Sequence, residues 1–193
     1  EQPAVAVCPL LVSPDGQPVP EIYRLPDRRG LAAARRAGNW GDPVAVDTST
    51  DRVSVQMPSL AALMARLYFL RGLRYIDERY GNSWIEAEIS FQILRASRKI
   101  LFVPGARAVR HPEPARAFPE GARVKGLLAA DWALCAATYA AKRFGFLAAL
   151  KVRLAALGQA LLALVRFREA AVQFHRLRCL LQGQRLDGTQ RFL

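Results

Sequence analysis

The segment Asp77–His111 constrains the fold of this chain more than any other part of the sequence. Apolar residues recur at helical spacing within Glu86–Ser97, and the stretch opens with the acids of a Glu-Ala-Glu run, so the pattern predicts a helix. The apolar stretch Lys99–Val103 predicts a short strand that stops at Pro104-Gly105. The segment therefore predicts a helix that begins with acidic residues and is followed directly by a strand.

This order of residues resembles the acceptor-side half of the family 2 inverting glycosyltransferases. An Asp-Glu-Arg turn, an acid-led helix, a strand ending in Val-Pro and an Ala-Arg-Ala-Val-Arg-His run occur in sequence, and the match from Asp77 to Pro104 needs no gap. A looser likeness extends back to residue 4. The resemblance implies an α/β fold, with the C-terminal half of a Rossmann-like GT-A domain in residues 1–113 and a basic amphipathic helical tail in residues 114–193. It also implies that a nucleotide-binding half precedes residue 1 in a complete enzyme.

Glu86 lies where that family places its catalytic base. By resemblance it would deprotonate an acceptor hydroxyl as that oxygen attacks the anomeric carbon, opposite the departing diphosphate. The family's usual Glu-Asp pair is Ile85-Glu86 here, so the base is longer by one methylene and lacks its acidic partner. Spacing alone also allows Glu86 and Glu88 to be ordinary acids of a first helical turn. Residues two apart diverge by about 200° on a helix, so the two carboxylates are not expected to reach one atom.

The residues around this position are the candidates for substrate binding. The Trp84 indole is suited either to stacking on a sugar ring or to packing under the start of the helix. Arginines beside a histidine suit a diphosphate leaving group, although a surface loop explains the same residues. By resemblance we assign substrate contacts to Asp77, Trp84, Glu88, Arg107, Arg110 and His111.

A divalent metal, Mg²⁺ or Mn²⁺, is expected for the complete enzyme by resemblance. The family's main metal motif, Asp-x-Asp, does not occur in this sequence, and Asp47 and Asp51 are too far apart to form it. The resemblance leaves His111 as the one candidate near the metal or the diphosphate. No phosphate-binding glycine loop or serine nucleophile elbow is present either.

The charge balance predicts anionic partners. Lys and Arg exceed Asp and Glu by 28 − 16 = 12, and residues 114–193 carry 13 − 4 = +9 of that excess. The tail is suited to an anionic membrane surface, to packing on the catalytic domain or to homodimer formation. Few aromatics accompany the arginines and no nucleic-acid motif occurs, so no nucleic-acid partner is expected.

The predicted activity is transfer of a sugar from a nucleotide-diphospho-sugar, such as dTDP-rhamnose, to a saccharide or lipid-linked acceptor in surface glycan synthesis. The resemblance places it in the cytoplasm, with peripheral attachment to the inner face of a bacterial membrane. Three dispersed cysteines fit a reducing compartment and buried free thiols. The alternative is a non-catalytic basic module that binds membrane or protein through a degenerate transferase fold.

Other elements follow from local patterns. No uncharged run reaches the roughly 20 residues that a bilayer requires, so no membrane span is expected. The helical region 146–182 is expected to break near Gly158 or to fold as a hairpin. We further predict a strand at Ala4–Val12, a turn at Ser13–Gly16, a short helix within residues 28–52, a strand at Val53–Val55, a helix at Leu60–Leu70 and a proline-rich linker with Pro112, Pro114 and Pro119.

Overall fold

Strands and helices alternate in the first part of the chain, whereas its last part is helical. The computed structural model describes residues 3–73, 77, 79–80, 83–111 and 121–186, so the predicted proline linker lies outside the described residues. Contacts divide the chain into two units. The first unit takes residues 1–26, 40–77 and 85–116, and the second takes residues 27–39, 78–84 and 117–193.

A four-stranded mixed sheet organises the first unit, which confirms the α/β class. Strands β1 (Ala4–Val12) and β6 (Lys99–Val109) run parallel at its centre, with β3 (Val53–Val55) and β5 (Met64–Ala65) antiparallel at its edges. The predicted strands at β1 and β3 are confirmed. A separate two-stranded ladder joins β2 (Ile22–Tyr23) to β4 (Met57–Pro58).

Strand β6 is longer than the sequence predicts. Pro104-Gly105 was expected to stop it, yet it continues to Val109. Pro9 on β1 aligns with Val103, and the next residue, Leu10, aligns with Arg107, so three residues of β6 form a bulge. Proline has no amide hydrogen for a ladder, and a bulge is one of the few places in a sheet that accept it. The strand bends around Pro104 instead of ending there.

The predicted helix at Leu60–Leu70 is wrong as a single element. A 3-10 turn covers Leu60–Ala62, β5 follows, and helix α2 covers only Leu67–Gly72. The start signal is right, because the Ser59 hydroxyl accepts a hydrogen bond from the Ala61 amide at 3.2 Å. Pairing of β5 with β1 extends the chain and interrupts the helical pattern, so sheet pairing overrides the local periodicity.

Helix α3 (Ile85–Arg95) covers one face of this sheet. Its start and end lie within two residues of the predicted Glu86–Ser97. Ile89 and Ile93 face the sheet, and helical spacing of four residues places both on one side. The core that they join is made of Val5, Ala6, Cys8, Val55, Ile100 and Phe102.

The described residues of the second unit form four helices: α1 (Arg28–Ala37), α4 (Ala122–Phe144), α5 (Phe146–Val165) and α6 (Ala170–Gln182). The Asp27 carboxylate caps α1 by accepting from the Gly30 amide at 2.7 Å, as helix N-caps do. The predicted break near Gly158 is wrong, because α5 continues through it and the chain turns at residues 166–169. The hairpin alternative is confirmed, since α5 and α6 pack on each other and on α4.

Small residues and one carboxylate organise the inside of the second unit. Asp131 is fully buried on α4, where it accepts from the Ser83 hydroxyl at 2.9 Å and from the Leu186 amide at 3.0 Å. These bonds satisfy a carboxylate that would otherwise be costly to bury. The surrounding core is Leu127, Ala130, Ala133, Leu134, Ala156, Ala160, Cys179 and Leu180.

All three cysteines are buried free thiols, as predicted. Burial raises the pKa of Cys8 to about 12. Cys8 therefore remains a neutral thiol at physiological pH and behaves as a small apolar core residue.

Candidate active site at the start of helix α3

The two acids that open α3 have different environments, as their predicted divergence requires. Glu88 is 5% exposed and accepts a hydrogen bond from Gln92 Nε2 at 2.9 Å. Its carboxylate lies inside the first unit, so the prediction that it contacts substrate is not supported. Glu86 is half-buried and keeps access to solvent. Of the pair, Glu86 alone is placed to meet a ligand.

The environment of Glu86 makes its carboxylate a stronger base than an ordinary surface glutamate. Burial raises the pKa of this side chain, and a hydrogen bond from its own backbone amide opposes the shift in part. A half-buried carboxylate loses hydration, which disfavours its charged form and raises its affinity for a proton. Such tuning is typical of general bases, which work best when their pKa lies near the operating pH.

Tyr23 on β2 is a neighbour that the sequence did not reveal. Burial raises the pKa of the Tyr23 phenol first, and the negative charge of Glu86 raises it further. The phenol therefore stays protonated near the carboxylate. No local pattern around Tyr23 indicates this proximity, because the two residues meet only through the packing of α3 near β4, the partner of β2.

The topology of the first unit fixes the direction in which the Glu86 end of α3 lies. The connection from α3 to β6 is short and the helix packs on that strand, so α3 runs back along it. The first turn of α3 is therefore directed toward the carboxyl ends of β6 and of its parallel neighbour β1. Crevices beyond the carboxyl ends of parallel strands are the general ligand sites of open α/β sheets.

The basic residues near the end of β6 differ in how well they could contact an anionic ligand. Arg107 is exposed on the strand, and His111 is exposed just beyond it. Arg110 donates its backbone amide to the Val12 carbonyl at 2.7 Å, and its guanidinium forms a salt bridge with Glu21. The negative charge of Glu21 already compensates the charge of Arg110. Arg110 should therefore attract an incoming anion less strongly than Arg107 does.

Trp84 requires a correction. Its side chain is 0% exposed and belongs to an aromatic cluster of the second unit, with ring centroids 5.5 Å from Trp132 and 5.4 Å from Tyr139. A sugar cannot stack on a ring with no exposed surface, so the packing alternative explains this residue. Its backbone has φ of 69°, a conformation that L-residues rarely adopt and that lies directly before α3.

Asp77 is half-buried in the first unit and has interactions of its own. The neighbouring Arg74-Tyr75-Ile76, where the family has Gly-Gly-Phe, lies outside the described residues. The role of Asp77 in substrate binding stays a prediction.

The described residues do not fit a divalent metal. Among them, no three His, Cys, Asp or Glu side chains are grouped closely enough to hold an ion. His111 in particular lies in no such group, so its predicted place near a metal gains no support. The metal expected by resemblance would need ligands other than those described.

An apolar cavity of about 230 Å³ lies in the first unit beside the second half of β1. Five segments of the described chain line it: β1, residues 18–22, residues 44–48, residues 58–62 and Phe102 of β6, and Glu86 is not among its described lining residues. Sequence reasoning missed this cavity, because each segment contributes only a few side chains. Glu21, Thr48 and Ser59 are polar groups among its lining.

One helix of the second unit is long and apolar enough to cross a membrane, judged by length and composition. It is α5, with 20 residues and a mean hydropathy of 1.6 over its most apolar window. No span was expected because no uncharged run reaches 20 residues, and Lys151 and Arg153 do interrupt this helix; the helix is a candidate only by its length and mean hydropathy.

Comparison of the chain with protein-family models, with curated proteins and with solved structures gives no match.

Proposed function

We propose that this chain forms the acceptor-side part of an inverting GT-A glycosyltransferase, with Glu86 as the general base. The observation that carries the proposal is a half-buried carboxylate of raised pKa at the first turn of α3. That turn is at the end of α3 directed toward the carboxyl ends of two parallel strands, the side on which open α/β sheets generally bind ligands. The resemblance of residues 77–111 to family 2 supports the same role.

The proposed step is a single displacement. Glu86 accepts the proton of an acceptor hydroxyl while that oxygen forms a bond to the anomeric carbon of the donor. The bond from that carbon to the diphosphate breaks on the opposite face, so the configuration inverts and the electron pair leaves with the diphosphate. The neutral Tyr23 phenol lies close enough to Glu86 for the charge of that carboxylate to raise its pKa. The exposed Arg107 adds positive charge near the leaving group.

Donor and acceptor are assigned by chemical class. The donor is a nucleotide-diphospho-sugar and the acceptor is a saccharide or a lipid-linked saccharide in surface glycan synthesis. The second candidate function is a non-catalytic basic module that keeps a degenerate transferase fold. The replacement of the family's partner acid by Ile85 favours that candidate.

Kinetics of the longest protein that the reading frame encodes would separate these candidates. We expect Glu86→Gln to lower kcat for sugar transfer by about 10²–10⁴-fold, the usual contribution of a general base. Glu86→Asp keeps the carboxylate and restores the family's shorter side chain, so it should retain measurable transfer. Asp51→Asn removes one exposed charge elsewhere in the first unit and serves as the matched control.

Two results would contradict the proposal. Full turnover by Glu86→Gln would exclude Glu86 as the base. Absence of transfer by the wild-type protein with every nucleotide-diphospho-sugar offered, while the protein remains folded, would favour the non-catalytic module.

A further inference from the structure

The outward side of α5 exposes more apolar surface than a helix in contact with water usually does. Its inward side is Val152, Ala156 and Ala160, which spacing of four places in one row against α4 and α6. Leu147 is 70% exposed and Leu154 is 57% exposed on the opposite side. Other exposed members of this surface, which we call the α5 face, are Phe146, Leu150, Leu161, Leu162 and Val165.

Large contiguous apolar patches on a folded protein mark interaction sites. The α5 face extends along a helix of 20 residues, which corresponds to about 30 Å at about 1.5 Å per residue. The chain continues into the turn at residues 166–169 with Phe167, which is 86% exposed. The apolar surface therefore continues past the end of the helix.

The charges around this face are mainly basic. Lys151, Arg153, Arg166 and Arg168 lie on α5 or in the turn after it, and the one acid of this stretch is Glu169, which is exposed at the end of the turn. All four basic residues are exposed. Leucines flanked by four basic side chains and a single acid match a surface that offers apolar chains below anionic groups.

We propose that the α5 face docks on an anionic lipid bilayer, with the helix lying along the surface. The leucines would insert among the acyl chains, and the basic side chains would meet the anionic headgroups. The helix does not cross the bilayer in this arrangement, because Ala156 and Ala160 stay packed against α4 and α6. The proposal is independent of the chemistry assigned to Glu86.

A second copy of the chain is the competing occupant. Leu147, Leu150, Leu154, Leu157, Leu161 and Leu164 follow the alternating spacing of three and four that coiled coils use. Coiled coils normally place opposite charges beside such a seam, however, and this helix carries only basic residues. Charge complementarity therefore favours anionic lipid over another copy.

Flotation of the full chain with vesicles tests the proposal. Vesicles of phosphatidylglycerol and phosphatidylethanolamine in equal parts should carry the protein upward, whereas vesicles of phosphatidylcholine should carry much less. Binding should fall as salt rises from about 0.1 M to about 1 M, because the Debye length shrinks to about 3 Å. Inorganic phosphate added at constant ionic strength should not displace the protein, which separates a bilayer from a free anion.

Double variants, each compared with a matched control, test whether the α5 face is the surface that binds vesicles. Leu147→Gln with Leu154→Gln should weaken partitioning about tenfold or more, because two inserted side chains become polar. Met64→Gln with Leu67→Gln is the matched control on the first unit, where both side chains are more than half exposed (74% and 53%). Lys151→Glu with Arg168→Glu should weaken binding at least as strongly, since each basic residue near the surface contributes about fivefold. Arg29→Glu with Arg52→Glu makes the same change in net charge at residues outside α5.

Because every substituted side chain is exposed, the variants should remain folded, which far-ultraviolet circular dichroism verifies. Equal flotation of the wild type and the Leu147/Leu154 variant would overturn the proposal. Sedimentation velocity would overturn it too, if the wild type were dimeric, failed to bind vesicles and became monomeric in that variant. Loss of sugar transfer in Glu86→Gln with unchanged flotation would leave both proposals standing separately.

Discussion

At the scale of single residues, the burial of Glu86 should make stability depend on pH. Burial raises the pKa of this carboxyl in the folded chain above the value of 4.5 expected when it is free in solution. Its favourable contribution is therefore fully present below about pH 4.5 and is lost as pH rises through the folded-state pKa. We expect Glu86→Gln, which cannot ionise, to be more stable than the wild type at neutral pH by about 0.5–2 kcal/mol.

Urea unfolding measured across acidic to neutral pH checks this expectation. The advantage of Glu86→Gln should shrink as pH falls and disappear where the wild-type carboxyl is protonated in both states. Asp51→Asn, which alters an exposed acid, should follow the wild-type curve closely. A Glu86→Gln variant that is less stable than the wild type at neutral pH would contradict the desolvation of this carboxylate.

The sequence places Glu86 at the start of a helix, and helical geometry alone predicts that Glu86 and Glu88 diverge. It does not predict which of the two faces inward, because that depends on how α3 rotates against the sheet. Trp84 shows the same limit, since its ring is drawn into an aromatic cluster with residues far along the chain. Tyr23 lies on another strand, so only tertiary packing brings it to Glu86.

At the scale of elements, the close approach of α4 and α6 should make one glycine irreplaceable. A Cβ atom added at Gly126 would lie 2.7 Å from the Val172 carbonyl oxygen and 2.8 Å from the Arg176 nitrogen, both in the backbone of α6. Backbone cannot move aside as a side chain can, so the helices would have to separate. We expect Gly126→Ala to destabilise the chain by about 1–3 kcal/mol, the usual cost of overpacking.

Gly158 provides the matched control within α5. A Cβ atom there would meet nothing within 4 Å, so only helix propensity should matter. Gly158→Ala should therefore stabilise the chain by up to about 1 kcal/mol. Thermal unfolding of both variants measures these two changes in stability. If Gly126→Ala stabilised the chain, α4 and α6 would have to pack less closely than the structure shows.

The sequence predicted helices and strands correctly where one local signal was strong. It failed where the pairing of strands in the sheet decided the structure. The alternating run of β1 and the acid-led start of α3 were visible in the sequence. The extension of β6 past Pro104 was not, because a bulge against β1 tolerates the proline. The hairpin of α5 and α6 was foreseen, but Gly158 does not mark its turn, since one glycine costs a packed helix only about 1 kcal/mol.

At the scale of the whole molecule, composition anticipated the helical character of the last part of the chain, but the two units interleave. Residues 27–39, which form α1, and residues 78–84 belong to the second unit although both precede residue 85 of the first. The Trp132 indole donates to the Ala34 carbonyl at 3.0 Å, which ties α1 to α4. A linear reading of composition cannot foresee such a contact between distant segments.

The net charge of the whole molecule should make stability rise with salt. A chain of net charge +12 repels itself more in its compact state than when unfolded. Raising ionic strength from about 0.01 M to about 0.15 M shortens the Debye length from about 30 Å to about 8 Å and screens this repulsion. We expect the free energy of unfolding, measured in urea, to increase by about 1 kcal/mol or less, the scale of surface electrostatics.

A variant of lower net charge tests the cause of that increase. Arg29→Glu with Arg52→Glu replaces two exposed cations and reduces the net charge to 12 − 4 = +8. Its unfolding free energy should be higher than that of the wild type at low salt and should depend less on salt. If instead salt destabilised the wild type, attractive ion pairs would outweigh repulsion, and the basic excess would be locally compensated within the fold rather than available to anionic partners.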